Sequence, residues 1–315
     1  MKKMVVKTIA YMVILFVLVN ILLFYAATDN DFIGGIIQKH ELLSKASGPR
    51  IILIGGSGVG YSVDSEAIIK ETGMPVVNMG VFGQFGLRYM LEEVKAEVQS
   101  GDILVVIPEY SHFYYMFEGW RGLNELIFVY PKSLFYLSSK AQFKAMAKTF
   151  PRFYKKKIEH LGQNLIAKWT RTTPRPISYN QYGDYVAHLD SEEIFPLQKE
   201  GLFHDFVKIN QLKLNKKVVE TLNAFEQEMR EKGATMLFSY PTVPDVQFAA
   251  FQRFPAEIAR QVAENAHFKV LNTPADEVQP LNDFYDTVYH LNREGRTKRT
   301  RRLINYLKPF CQDIN

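Results

Sequence analysis

The chain has 315 residues and only one cysteine, Cys311. A lone cysteine excludes an internal disulfide framework, a cysteine-rich zinc site and a CxxC redox pair. His40, His112, His160, His188, His204 and His267 show no metal-ligand spacing, so no metal or cofactor is expected. With Gly 19 and Pro 14, the chain lacks the composition of collagen-like or low-complexity proteins. It also lacks strong charge of one sign. Net charge is +5, and Lys2, Lys3 and Lys7 precede the first acidic residue, Asp29. The small remainder argues against a nucleic-acid partner. After residue 27 no second run of about 18 apolar residues follows, so a single membrane pass is expected.

That one run is long. Thr8 to Ala27 is almost wholly apolar, with Asn20 its one strongly polar residue. About 20 residues at 1.5 Å each match a hydrocarbon core of roughly 30 Å. Lysines before the run, with Asp29 and Asp31 after it, predict a cytoplasmic N-terminus and an extracytoplasmic body. A cleavable signal peptide is the rival. It needs small residues at −3 and −1, where the available sites offer Phe24 or Tyr25, so an uncleaved anchor is favoured.

The remainder alternates strand and helix. Expected strands are Arg50–Ile54, Pro75–Gly80, Asp102–Pro108, Ala234–Tyr240 and Phe268–Leu271. Expected helices cover Ser62–Thr72, Gln84–Gln99, Phe206–Lys232, Ala249–Asn265 and Leu291–Leu307. Five short strands alternating with helices predict one α/β domain on a five-stranded parallel sheet, its site beyond the strands' carboxyl ends. The expected organisation is an anchor at 1–27, a linker at 28–49 and a domain at 50–315, with an insertion at about 111–205.

The insertion is basic. Arg121 to Arg175 contains twelve Lys and Arg against Glu125 and Glu159. Lys140, Lys144 and Lys148 share a helix face, and Ile158, Leu161, Leu165 and Trp169 form an apolar stripe. An ordinary helical insertion fits this pattern. So does a basic surface for lipid headgroups, an anionic glycan or a partner protein. Asp184, Asp190, Glu192 and Glu193 read as a solvated acidic patch, and His204-Asp205 as a surface pair.

Gly55-Gly-Ser-Gly-Val-Gly-Tyr-Ser62 has the glycine spacing of a phosphate loop, but Tyr61 stands where the lysine belongs. Gly56, Gly58 and Gly60 likewise miss the dinucleotide fingerprint. A serine on a sharp turn after the first strand has another use, provided a base reaches it. Asp286 and His290, four residues apart just after the last strand, supply one if that stretch turns helically. Tyr240-Pro-Thr-Val-Pro244 follows the fourth strand and lies at the same edge.

The order G-x-S after strand one, Asn-x-Gly after strand two and Asp…His before the final helix resembles the SGNH (GDSL-type) hydrolase superfamily. IGGSGVGYSVDS and FYDTVYHLNREGR are most similar to its membrane-anchored extracytoplasmic branches, which serve alginate acetylation and teichoic-acid D-alanylation. The resemblance covers about Arg50–Ser111 and Phe206–Leu307, not the insertion. It implies a flavodoxin-like three-layer sandwich with Ser57 as nucleophile, His290 as base and Asp286 as its orienting acid. It further implies an oxyanion hole from the N–H groups of Ser57 and Gly80. The activity implied is acyl transfer to or from hydroxyls of an extracytoplasmic polysaccharide, with a membrane-bound O-acyltransferase as partner. Two positions depart from the family pattern. Pro108-Glu109-Tyr110-Ser111 lacks the third-block asparagine, so Tyr110 or Ser111 would have to donate, which an ionised Glu109 cannot. The acid–histidine spacing is D-x-x-x-H, with Thr287 at the usual acid position and Asp283 the alternative acid. A non-catalytic scaffold that binds glycan or protein is the second reading.

Overall fold

A computed structural model describes residues 2–25, 31–166, 178–191 and 213–311. In chain order its principal elements are α1 (Lys2–Tyr25), α2 (Asp31–Gly34), α3 (Ile36–Lys45), β1 (Ile51–Gly55), α4 (Ser57–Ser62), α5 (Ser65–Thr72), β2 (Val76–Gly80), α6 (Leu87–Glu92) and β3 (Ile103–Ile107). There follow α7 (Gly122–Val129), α8 (Lys140–Ile166), α9 (Lys217–Glu231), β4 (Thr235–Phe238), β5 (Val243–Pro244), α10 (Asp245–Ala250), α11 (Arg253–Asn265), β6 (Lys269–Val270), β7 (Val278–Gln279) and α12 (Arg293–Cys311).

The sheet runs β2-β1-β3-β4-β6, every neighbour parallel. Side chains alternate faces along a strand, and the core divides accordingly. Ile52, Ile54, Leu104 and Val106 join one cluster, covered by α3, α6, α9 and α11. Ile51, Leu53, Ile103 and Val105 join the other, covered by α4, α5 and α12. Both faces are thus buried, which is why β1 and β3 read as unbroken apolar runs. Each such side chain contributes roughly 1.5–3 kcal/mol on burial. The result is a mixed α/β architecture with helices flanking a central parallel sheet.

Helix α1 contributes to neither core cluster and touches the rest of the chain at α8. Its Lys3–Ile21 stretch has mean hydropathy 2.3 and is long and apolar enough to cross a membrane, consistent with an anchor or a signal sequence.

Several expected boundaries move. Helix begins at Ser57, not Ser62. It breaks at Val63, and Asp64 then caps α5 by accepting from the Ala67 N–H at 3.2 Å. The helix expected over Gln84–Gln99 is split, because Gly86 takes φ +89° between a 3₁₀ turn and α6. That expected from Phe206 begins at Lys217, with residues 206–212 outside the described set. The Ala249–Asn265 helix is two, α10 and α11. Paired β5 and β7 form a second, two-stranded parallel sheet that the sequence pattern did not announce.

Residues 31–45 are not a linker. Ile33, Ile36 and Leu43 are buried in the larger core, and Lys39 is buried with them. Its ammonium donates to Asn78 O at 2.7 Å and to Gly183 O. Nor is Asp184 solvated. It is fully buried and accepts from Ser65 N–H and Oγ–H, Asn78 Nδ2, Asn180 Nδ2 and Arg296. Asp190 is exposed and paired with Arg293, while Glu192, Glu193, Trp169, His204 and Asp205 lie outside the described residues.

Candidate active site

The site is built where β1 ends. Gly56 carries the chain from β1 into α4, and Ser57 is the first residue of that helix. A Cβ at 56 would lie 2.1 Å from Glu109 Oε1, so the glycine lets the Glu109 carboxylate pack close to this turn. Ser57 is half-buried. Its N–H belongs to the first helical turn, whose amides have no intrahelical acceptor.

The histidine arrives from the far end of the chain, but not on a helix. Residues 284–291 form a closed loop: Phe284 and Leu291 pair antiparallel, and Tyr285 N–H donates to His290 O at 2.8 Å. Ser62 fastens this loop to α4. Its Oγ–H donates to Tyr289 O at 2.9 Å, and the oxygen accepts from Leu291 N–H at 3.1 Å. The result is a continuous line. His290 Nε2 lies 2.8 Å from Ser57 Oγ, and His290 Nδ1 lies 2.7 Å from Asp286 Oδ1. Burial works to raise the Asp286 carboxyl, but the His290 bond and charge outweigh it and hold the group below its ordinary value. Asp286 is therefore ionised at neutral pH and fixes the proton on Nδ1, leaving Nε2 to accept from Ser57.

The other acid and Thr287 have different work. Asp283 is buried and paired with Lys298 at 2.9 Å. Thr287 Oγ1 accepts from the N–H groups of Tyr289 and His290, shaping the turn.

The imidazole is held face-on by Tyr61, with ring centroids 3.7 Å apart and planes 4° from parallel. Behind Tyr61 stacks Tyr185, at 4.4 Å. Burial raises the Tyr61 phenol far above its ordinary value, so the ring stays neutral. His188 packs against Tyr61 and donates Nε2–H to Leu291 O at 2.9 Å. Burial pushes its imidazole down to about 4. Tyr185 and His188 come from the insertion, and the sequence carried no signal that 178–191 would wall the site.

Of the two expected oxyanion donors, Gly80 has its N–H engaged within the chain. Gly80 lies inside β2, and its N–H donates to Asn78 Oδ1 at 2.9 Å, so it does not face an acyl oxygen. Asn78 is buried, with Nδ2 bound to Val59 O and Asp184. Gly83, three residues later, is the glycine that meets the site, with its Cβ position 2.6 Å from Glu109 Oε2. The Glu109 carboxylate thus sits among Gly56, Gly58 and Gly83, with Gly58 N–H 3.5 Å from Oε1. His112 fixes this corner. Its Nδ1 accepts from Glu109 N–H at 3.1 Å and its Nε2–H donates to Gly83 O at 2.9 Å. Burial pushes His112 down to about 4, which keeps this tautomer neutral. Tyr110 and Ser111 are both buried, Tyr110 in the apolar core. Pro241 and Thr242 do reach the site's flank, where they line a small cavity with Gly58, Glu109, Tyr289 and Arg299.

No group of three or more His, Cys, Asp or Glu among the described residues is placed to hold a metal. No family model matches the chain, and no curated protein matches it in sequence.

Proposed function

We propose that the chain is an extracytoplasmic serine-dependent O-acyltransferase or esterase acting on hydroxyls of a cell-envelope or exported polysaccharide, built as an SGNH-type sandwich. The observation that supports this most is the hydrogen-bonded line Ser57–His290–Asp286 at the carboxyl edge of a parallel sheet. Such an arrangement has one well-defined chemical use. His290 Nε2 takes the Ser57 proton as Oγ bonds to an acyl carbonyl carbon, and Asp286 stabilises the imidazolium. The imidazolium then protonates the departing alcohol, leaving an acyl-serine. A second hydroxyl, or water, gives its proton to His290 as its oxygen bonds to the acyl carbon, and the imidazolium returns that proton to Ser57 Oγ as the acyl–Oγ bond breaks. The Ser57 N–H is one donor to the tetrahedral oxyanion. Lysines in the first turns of α1, ahead of its apolar run, and aspartates after the run support an extracytoplasmic body. The resemblance of its motifs supports a membrane-bound O-acyltransferase as acyl source.

One observation favours a second reading, a non-catalytic scaffold that binds glycan or a partner protein. Glu109 places an acceptor oxygen where the superfamily's asparagine would donate, and an anion there repels an oxyanion. Turnover of an activated acetyl ester separates the two. The enzyme reading expects hydrolysis by the full chain that Ser57→Ala abolishes, with polysaccharide acceptor diverting acetyl from water to glycan. A scaffold expects no serine-dependent turnover, and a Ser57→Ala chain that still functions in the cell.

A further inference from the structure

The insertion carries a charge asymmetry that the catalytic reading does not use. Residues 131–159 contain eight Lys and Arg and one acidic residue, Glu159. This segment alone carries +7, more than the +5 of the whole chain. Lys132, Lys140, Lys144, Lys148, Arg152 and Lys156 are all exposed.

Apolar side chains stand beside these charges. Phe135, on the 3₁₀ turn before α8, is 86% exposed, and Leu134 next to it is exposed too. On α8, Gln142 and Lys157 are buried and mark the packed side. Phe143, Phe150 and Ile158 are exposed. At 100° per residue they fall on one stripe, immediately beside the stripe of Lys140, Lys144, Lys148 and Arg152. The helix thus has three sides: one packed on the domain, one apolar and open, one cationic and open. An open apolar stripe edged by lysines is the pattern of a helix lying in a membrane interface.

Its position agrees. Helix α1, the membrane-length segment, makes contact with α8. The domain also begins close to where α1 ends. Only residues 26–30 separate α1 from α2, at most about 18 Å of extended chain. Phe32 of α2 already packs against Tyr61, the ring that holds His290.

We infer that α8 and the 131–136 turn form a docking face for an anionic phospholipid bilayer, seating the body on the membrane from which α1 emerges. The exposed lysines meet lipid phosphates while Phe135, Phe143 and Phe150 enter the headgroup region. The inference rests on α1 being retained as an anchor, and is independent of whether Ser57 is a nucleophile. An anionic glycan or an acidic protein would satisfy the lysines but gives the aromatic stripe nothing to enter.

The test uses the full chain in nanodiscs, with an environment-sensitive nitrobenzoxadiazole label on Phe135→Cys. Cys311 is buried, and wild-type chain treated identically measures any background. In phosphatidylglycerol discs the label should shift to the blue and be quenched by lipids with brominated acyl chains. Both signals should disappear in phosphatidylcholine discs and in the triple variant Lys140→Glu, Lys144→Glu, Lys148→Glu. These lysines are exposed, so the triple variant should melt as wild type does; a Lys→Gln triple at the same positions gives a partial loss. Solvent-like emission in anionic discs, or quenching indifferent to the triple reversal, overturns the inference.

Discussion

Two aspartates, Asp184 and Asp286, differ sharply in how their carboxylates are bonded. Asp184 is fully buried and receives five hydrogen bonds, one from the Arg296 guanidinium. Every lone pair is taken, so nothing can approach it. Asp286 has a side chain 37% exposed and one side-chain partner, the imidazole of His290. Its ionisation serves one proton on one ring. Saturation marks a carboxylate that holds a fold together, whereas a single directed bond to a histidine that itself reaches a serine is what the proposed function asks of an orienting acid. Asp286 reaches Ser57, the first residue of α4, through His290, and Asp184 reaches Val59 of the same helix through Asn78.

Substitutions can break this contrast. The largest effect is expected from Ser57→Ala, which should reduce ester turnover by about 10⁴-fold or more without lowering the melting temperature. Asp286→Asn should follow, at about 10²–10⁴-fold in kcat, because it favours the wrong His290 tautomer, again with little change in melting. Asp184→Ala should do the reverse. It strands Arg296 in the interior and should cost about 3–5 kcal/mol of stability, read by denaturant unfolding. Comparable melting losses for Asp184→Ala and Asp286→Asn would erase the distinction. Tyr61→Leu removes the face against His290 and should lower kcat about 10–100-fold with a smaller effect on KM.

A further effect is electrostatic. Burial pushes the Lys39 ammonium down to about 7 in the folded chain, against attraction from Asp184 and Glu93. Unfolded, the group keeps its ordinary value of 10.5. Between those values the unfolded chain binds more protons, so Lys39 makes stability rise as pH climbs from about 7 to 10.5. Denaturant unfolding of wild type against Lys39→Met should show this slope flattened in the variant. His112 and His188 act at lower pH. Each is pushed down to about 4 from 6.5, so stability should fall as pH drops through that window.

The sheet was readable in the sequence because its signal is local. Ile51-Ile-Leu-Ile and Ile103-Leu-Val-Val are buried on both faces, and such strands advertise themselves as short apolar runs. The convergence of Ser57, Asp286 and His290 was readable because glycines mark the turn and the pair sits just past the last strand. What stayed hidden depends on distant partners. Asp184 looks like any acidic loop residue until Ser65, Asn78 and Arg296, far apart in sequence, converge on it. Helices α2 and α3 look like a tether because α3 mixes Lys39 and His40 with its apolar positions, and both are buried through partners elsewhere in the chain. Gly80 looked like the oxyanion glycine from its Asn-x-Gly context, but the same asparagine takes its N–H. Proximity of Asp286 to His290 was expected from helical spacing. The structure achieves it with a loop closed by Ser62 and Thr287, a hydroxyl pattern with no fixed sequence period.

The central claim is that the His290–Asp286 pair activates Ser57 as a nucleophile. Reaction of the full-length chain with a fluorophosphonate, followed by mass-spectrometric mapping, tests it directly. One phosphonylated residue, Ser57, is expected, with labelling slowed strongly in His290→Ala and absent in Ser57→Ala. A folded chain that resists the probe, or that labels equally well without His290, would contradict it.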